Sequence, residues 1–534
     1  MTINRRRLIT TLLAAVGVTA AILVRPVAAA HADPAAVHTD RGWVQGSVHQ
    51  GYRTFEGIPY AAPPIGKLRF GSPRPAAAWT GTRDATRTGP ACAQLGGFPG
   101  DKRSEAEDCL YLNVTTPTTA SHRRRPVMVW IHGDGFFQSS GGIYGAERLA
   151  TQGDAVVVTF NYRLGALGFL AHPALDGGVA KHLSGNFGLE DQQAALRWVQ
   201  RNAAAFGGDA GNVTIFGESA GAMSVCAHLA APGSAGLFER AIIQSGPCTL
   251  RWPYPPTWGP LPRSQREDLG VSLTKQLGCT YEATAAACLR RLPVSKLIDL
   301  GGIDFGPGPT VGGGILPIDP ARALATGRIN HVPVMHGTTL DEHITFIAAL
   351  ESIYGPVTKD NYADFVTQAV GADQAPKVLA RYPLRDGEAP AVTLATLLTD
   401  YSWACPAVAT DRLLARNVPT YAFEFADRNA PWFADADRPT YPTGAYHAGE
   451  LQYLFTRAYG TGTLNAAQQY LSDQMISYWT TFARTGNPNG PGTPPWHPFH
   501  GAQVQSLAPH AIHPVDLAAE HQCGFWQSMG RTGP

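Results

Sequence analysis

Six short, strongly apolar runs punctuate the chain, at residues 127–131, 155–160, 213–216, 241–244, 332–336 and 420–425. Runs this brief and this continuously apolar suit parallel strands buried on both faces, where neither side of the strand needs polar residues. Helical patterns lie between them. In residues 188–206, Leu189, Leu196, Val199, Ala203 and Phe206 fall on one helical face. Strand alternating with helix predicts an α/β fold with a mostly parallel central sheet flanked by helices. The stretch from about Cys248 to Ile329 breaks the rhythm and is rich in Pro, Gly and Trp. Insertions of that kind above a sheet often wall a binding pocket. No internal repeat or low-complexity linker interrupts the chain, so residues 33–534 are expected to form one domain.

The first 32 residues have a different character. Arg5, Arg6 and Arg7 precede a moderately apolar stretch from Leu8 to Val24, and Ala30-His31-Ala32 fits a small-x-small cleavage site. This pattern predicts a signal peptide removed before Asp33. The run Asn4-Arg5-Arg6-Arg7-Leu8-Ile9, with Arg25 before the cleavage site, resembles a twin-arginine signal. The alternative, an uncleaved anchor, fits less well, because the core is short and small residues follow it. No later stretch is long and apolar enough to span a bilayer, so no stable membrane insertion is expected. A secreted protein follows. Its net charge of +1 gives no electrostatic footprint for nucleic acid. Its eight cysteines suggest disulfides, and none is spaced as Cys-x-x-Cys.

The chemistry centres on Gly217-Glu218-Ser219-Ala220-Gly221, a G-x-S-x-G match. Alone the motif is weak, since on the order of 0.3 chance matches are expected in so Gly-rich a chain. Its setting adds the specificity. The strand at 213–216 precedes it and a helical run of small and apolar residues, 220–229, follows. A nucleophile elbow needs this strand–turn–helix, which holds the Ser hydroxyl clear of the backbone at the sheet's edge. Upstream, Trp130-Ile131-His132-Gly133-Asp134-Gly135-Phe136 follows another strand and resembles the H-G-G-G loop that supplies oxyanion-hole N–H groups. Acyl transfer needs such donors because charge builds on the carbonyl oxygen.

These segments together resemble the type-B carboxylesterase family, which includes the cholinesterases. Phe55-Glu56-Gly57-Ile58-Pro59-Tyr60 is similar to the family's opening block. Glu107-Asp108-Cys109-Leu110-Tyr111-Leu112-Asn113-Val114 is similar to its second signature. Asn186-Phe187-Gly188-Leu189-Glu190-Asp191-Gln192 and Phe482-Ala483-Arg484-Thr485-Gly486-Asn487-Pro488 also match. The resemblance implies an α/β-hydrolase fold and a Ser-Glu-His triad. The family's acid lies in a G-x-x-x-D-E-G stretch, here Gly337-Thr338-Thr339-Leu340-Asp341-Glu342-His343. The match points to Glu342, with Asp341 as the alternative acid, and His343 replaces the usual Gly. The base matches His447 in Gly444-Ala445-Tyr446-His447-Ala448-Gly449-Glu450. The order Ser, acid, His is that of the fold. Glu218 resembles a buried family carboxylate, as readily a structural acceptor as a catalytic group.

The resemblance also implies oxyanion donors at the backbone N–H groups of Asp134, Gly135 and Ala220. Asp134 departs from the family's glycine triplet. A carboxylate aimed at the oxyanion opposes catalysis, so the side chain is expected to point away or to be held by a donor. Cys92–Cys109, Cys279–Cys288 and Cys405–Cys523 resemble family disulfides. Cys226 and Cys248 have no family counterpart, and a fourth bridge or two buried thiols are both open.

The cysteine loop from Cys92 to Cys109 lacks the cation-binding Trp of the cholinesterases, so a choline ester is a poor expectation. Trp252 lies in the region resembling the acyl-pocket wall, where pocket lining and lid packing are both open. The expected substrate is a small uncharged carboxylic ester, with no cofactor. No His-Glu-x-x-His speaks for zinc, and no metal site is expected. The rivals are a non-catalytic adhesion relative of the fold and a hydrolase of amides. Oligomeric state is not legible.

Overall fold

The expected alternation of strand and helix runs through the central part of the chain, from Arg125 to Thr485. The structure, a computed structural model, describes residues 35–96, 102–177, 182–250, 252, 258–302, 305–434, 436–459 and 462–530. The signal-peptide reading of residues 1–32 falls outside them. A small sheet opens the described chain, from β1 (Ala36–Thr39) and β2 (Gly42–Gln45). Then come β3 (Ser47–Val48), β4 (Tyr52–Pro59) and β5 (Thr82–Asp84), the last pairing with β2. The central strands are β6 (Tyr111–Pro117), β7 (Arg125–Ile131), β8 (Val156–Phe160), β9 (Gly208–Glu218) and β10 (Arg240–Gln244). A short pair, β11 (Leu261–Pro262) and β12 (Thr310–Val311), lies within the insertion. The chain finishes with β13 (Val334–Thr339), β14 (Thr420–Phe425), β15 (Gln503–Ala508) and β16 (Ala511–Asp516).

The large sheet has 11 strands in the order β16-β15-β14-β13-β10-β9-β7-β8-β6-β4-β3. From β8 to β15 every neighbouring pair is parallel. Antiparallel pairs occupy the two edges. All six runs expected as strands lie in the parallel region. The fold is therefore the expected α/β-hydrolase architecture, a large mostly parallel sheet flanked by helices.

Burial explains why those runs are apolar throughout. Met128, Trp130, Val157, Phe216, Ile242 and Met335 point into a core on one face. Their neighbours Val127, Val129, Ile131, Val156, Ile215, Ile243 and Val334 point into a core on the other. Side chains alternate along a strand, so two covered faces demand apolar residues at every position. The first core is closed by the helix Ala466–Thr485, through Leu471, Met475 and Phe482. The second is closed by the helices Phe187–Asn202 and Ala220–Ala230. The helix expected over 188–206 ends at Asn202 and tightens into a 3₁₀ turn, Ala203–Phe206.

The insertion from about Cys248 to Ile329 is mainly helical, with Arg263–Gln276, Glu282–Arg291, Val294–Leu300 and Pro320–Ala325. All eight cysteines are bridged. Cys92–Cys109, Cys279–Cys288 and Cys405–Cys523 pair as the family resemblance implies. Cys226–Cys248 forms the fourth bridge and ties the helix after β9 to the loop after β10. Four disulfides fit an oxidising, extracellular setting. No helix among the described residues is long and apolar enough to cross a membrane.

Candidate active site

The parallel strands end together, and the site is assembled from the loops at those ends. Strand β9 ends at Glu218, and Ser219 follows with φ +56° and ψ −122° before the helix Ala220–Ala230 begins. That backbone is strained for a residue with a side chain, and it presents the hydroxyl outward. The turn is held by Ser219 N–H donating to Gln244 O at 2.9 Å, and by Met223 N–H donating to Ser219 O at 2.9 Å. Close approach requires the flanking glycine: a Cβ at Gly221 would stand 2.0 Å from Ile131 O.

After β7, the chain turns through Asp134 (φ +61°), Gly135 (φ +63°) and Phe136 (φ +63°). Among the described residues, the N–H groups of Asp134, Gly135 and Ala220 donate to nothing, and all three residues line the same cavity as Ser219. Behind this turn, Tyr162 OH donates to His132 O at 2.8 Å, and the two rings stack with centroids 4.3 Å apart. Burial pushes the His132 imidazole down to about 3, so it is neutral packing. A Cβ at Gly133 would meet Glu218 O at 2.7 Å, which excludes other residues there.

His447 is delivered by the loop after β14. Asp341 anchors that loop: it accepts from Ala445 N–H at 2.9 Å and donates its own N–H to Ala445 O at 3.0 Å. Asp341 also pairs with Arg428 at 3.0 Å. It is thus an anchor, and Glu342 is the carboxylate that reaches the imidazole. Glu342 Oε2 stands 2.5 Å from His447 Nδ1, and its Oε1 accepts from Thr339 N–H at 2.8 Å. Among the described residues, His447 Nε2 has no hydrogen-bond partner. It lies 3.0 Å from Glu218 Oε1 without hydrogen-bond alignment. Ser219 and His447 line one cavity, with Glu342 buried behind the imidazole.

The surroundings are unusually acidic for so apolar a place. Burial, with Glu450, Asp134 and Glu342 adding repulsion, pushes the Glu218 carboxyl well up and favours its neutral form. Glu450 accepts from Gln244 Nε2 at 3.1 Å, and burial beside Glu342 raises it to about 7. Gln244 is in turn held by Trp479 Nε1–H at 3.0 Å. Asp134 is raised to about 6 by burial, offset by the Tyr459 hydroxyl that donates to its Oδ2 at 3.0 Å. The Asp134 side chain is therefore held by a donor, one of the two arrangements expected.

The cavity lining is mostly apolar, and aromatic side chains make up much of it. Trp252, Trp258, Phe346 and Trp403 form one flank, and Phe433 and Tyr459 belong to the other. Trp252 both lines the cavity and packs within this cluster, with Trp403 and Phe346 at centroid distances of 5.4 and 4.9 Å. The two open readings of Trp252 coincide. Sequence reasoning did not single out Phe346, Trp403, Phe433, Tyr459 or Glu450. Phe346 carried a weak signal, as an aromatic residue in the helix that opens two residues after Glu342. Glu450 carried a weaker one, three residues after His447. Tyr459 carried none.

Comparison with known proteins agrees with this geometry. The family model described as the carboxylesterase family matches residues 33–526. The chain belongs to the carboxylesterase family. It is 35% identical over 496 residues to the para-nitrobenzyl esterase of Bacillus subtilis (strain 168), covering 88% of this chain and 94% of that protein. It is 35% identical over 493 residues to the cocaine esterase of Oryctolagus cuniculus, covering 86% and 90%. A solved PNB esterase superposes with a TM-score of 0.75 at 32% identity, over 92% of this chain and 100% of that one. This carboxylesterase is accordingly a carboxylic ester hydrolase. Among its described residues, no group of three or more His, Cys, Asp or Glu is placed to hold a metal ion.

Proposed function

We propose that this carboxylesterase is a secreted serine esterase in which Ser219, His447 and Glu342 act as nucleophile, base and orienting acid. The observation that carries the reading is the His447 imidazole. Its Nδ1 is committed to Glu342 at 2.5 Å, while its Nε2, on the cavity that holds Ser219, makes no aligned hydrogen bond among the described residues. With the Nδ1–H donating a hydrogen bond to the Glu342 carboxylate, the neutral ring presents a lone pair at Nε2. It accepts the Ser219 proton as Oγ attacks the ester carbonyl. The oxyanion so formed accepts from the N–H groups of Asp134, Gly135 and Ala220, which are otherwise unused. The His447 cation then returns its proton to the leaving alkoxide, and the acyl group stays on Ser219. Water, deprotonated by the same Nε2, releases the acid and regenerates the hydroxyl. The aromatic lining supports uncharged carboxylic esters as substrates. The leader at residues 1–32 and the four disulfides support export.

The test uses the mature chain from Asp33, with short-chain p-nitrophenyl esters. Wild type is expected to hydrolyse them, and Ser219→Ala to lose roughly 10⁴-fold or more in kcat. Retention of activity by Ser219→Ala would remove the assignment of the nucleophile. A parallel anilide series separates ester from amide preference. Folded wild type inert toward every ester would favour an adhesion role instead.

A further inference from the structure

One wall of the cavity depends on a residue standing behind it. His343 directly follows Glu342, is buried, and does not line the cavity. Its Nδ1 accepts the indole N–H of Trp403 at 3.0 Å. Trp403 lies in the π-helical turn Asp400–Ala404, between the helices Pro390–Thr399 and Cys405–Ala415. Such a turn takes an extra residue, so the side chains after it leave the register an unbroken α-helix would give them. The Trp403 indole packs against the His447 ring at 4.8 Å and stacks on Phe346 at 5.5 Å. A buried indole N–H needs an acceptor. Burial, helped by the positive form of His447, lowers His343 to about 3, so its ring stays neutral and keeps the accepting lone pair. The family pattern places Gly at this position, and Gly offers no side-chain acceptor.

We propose that His343 is a positioning residue that fixes the Trp403 indole beside His447 and thereby sets which ester substituents fit there. The proposal rests on the reading of His447 as the base. Removing the acceptor frees the indole and opens the wall to bulkier groups, while the reacting atoms keep their places.

The test compares kcat/KM for small and bulky esters in two series, p-nitrophenyl acetate against octanoate and ethyl against benzyl acetate. Reaction of wild type with a fluorophosphonate probe, mapped to Ser219, is measured first. His343→Ala and Trp403→Phe are each expected to shift the bulky-to-small ratio roughly tenfold in at least one series. His343→Gln, which can still accept, should stay within about twofold of wild type. His343→Ala should add nothing in the Trp403→Phe background. Unchanged ratios in both series, or a full additional shift in that background, overturn the proposal. Should His343→Ala not fold, an unchanged ratio in Trp403→Phe overturns it equally. A wild-type enzyme that turns over esters with Ser219 unlabelled overturns the triad reading itself, a distinct result.

Discussion

Two buried imidazoles in this carboxylesterase are surrounded by carboxylates and are put to opposite uses. His521 has both ring nitrogens engaged, with Asp400 Oδ1 and Glu424 Oε1 each at 2.7 Å. Its pKa is raised to about 10 by these two partners, against the burial that would lower it. His447 has one nitrogen bound to Glu342, while the other faces Glu218 Oε1 at 3.0 Å without an aligned hydrogen bond. A doubly clamped ring is a fixed cation that cannot take up a proton. A singly clamped ring is oriented yet still has one site to exchange. The number of acceptors, more than burial or nearby charge, separates the staple from the proposed reagent.

The comparison breaks most visibly at His447. His447→Gln is expected to lower kcat/KM by roughly 10⁴-fold with little change in thermal midpoint, read by ester hydrolysis and calorimetry on one preparation. His521→Gln should do the reverse and cost about 3–5 kcal/mol of stability, with kcat kept below the midpoint. The neighbouring Cys405–Cys523 bridge closes a separation of 118 residues. Replacing both cysteines by Ala should cost up to ~5 kcal/mol in denaturant titration. A much smaller loss would leave His521 as the main tie on the C-terminal segment.

The pH dependence sharpens the contrast. The pKa of His521 is higher in the folded protein than the ordinary 6.5, so its contribution is full below about 6.5 and is lost as pH rises toward 10. The stability gap between wild type and His521→Gln should shrink across that window. The smallest effect concerns Asp134, raised to about 6. Below that pH its carboxyl is neutral and resembles Asn. Above it, a negative charge shares the cavity with the developing oxyanion. The Asp134→Asn to wild-type ratio of kcat/KM should therefore climb through about pH 6 and level off roughly five- to tenfold higher. A flat ratio would mean that Tyr459 holds the charge harmlessly aside.

What was legible in the sequence was what local pattern encodes. Thr420–Phe425 is a strand with the bounds its composition suggested. The G-x-S-x-G glycines between a strand-like run and a helical run made the Ser219 turn recognisable. The antiparallel edges were harder, because strands such as Tyr52–Pro59 are only partly buried and their apolar signal is diluted. The π-turn at Trp403 left no trace, since one extra residue in a helix alters hydrogen bonding without altering composition. Asp134 could be flagged as a conflict, but its partner Tyr459 lies 325 residues away. Cys226–Cys248 stayed open for the same reason, as pairing depends on geometry that spacing does not carry.

The 2.0 Å approach of a Cβ at Gly221 to Ile131 O has a further consequence. The turn bearing Ser219 and the loop bearing the proposed oxyanion donors are in main-chain contact, with no side chain between them. They must shift as one body or not at all. The spacing between the Ser219 main chain and the charge-receiving N–H groups is then set by backbone, while the aromatic walls are set by side chains. Substitutions in those walls can retune what the enzyme accepts over evolutionary time without disturbing the geometry of the reaction.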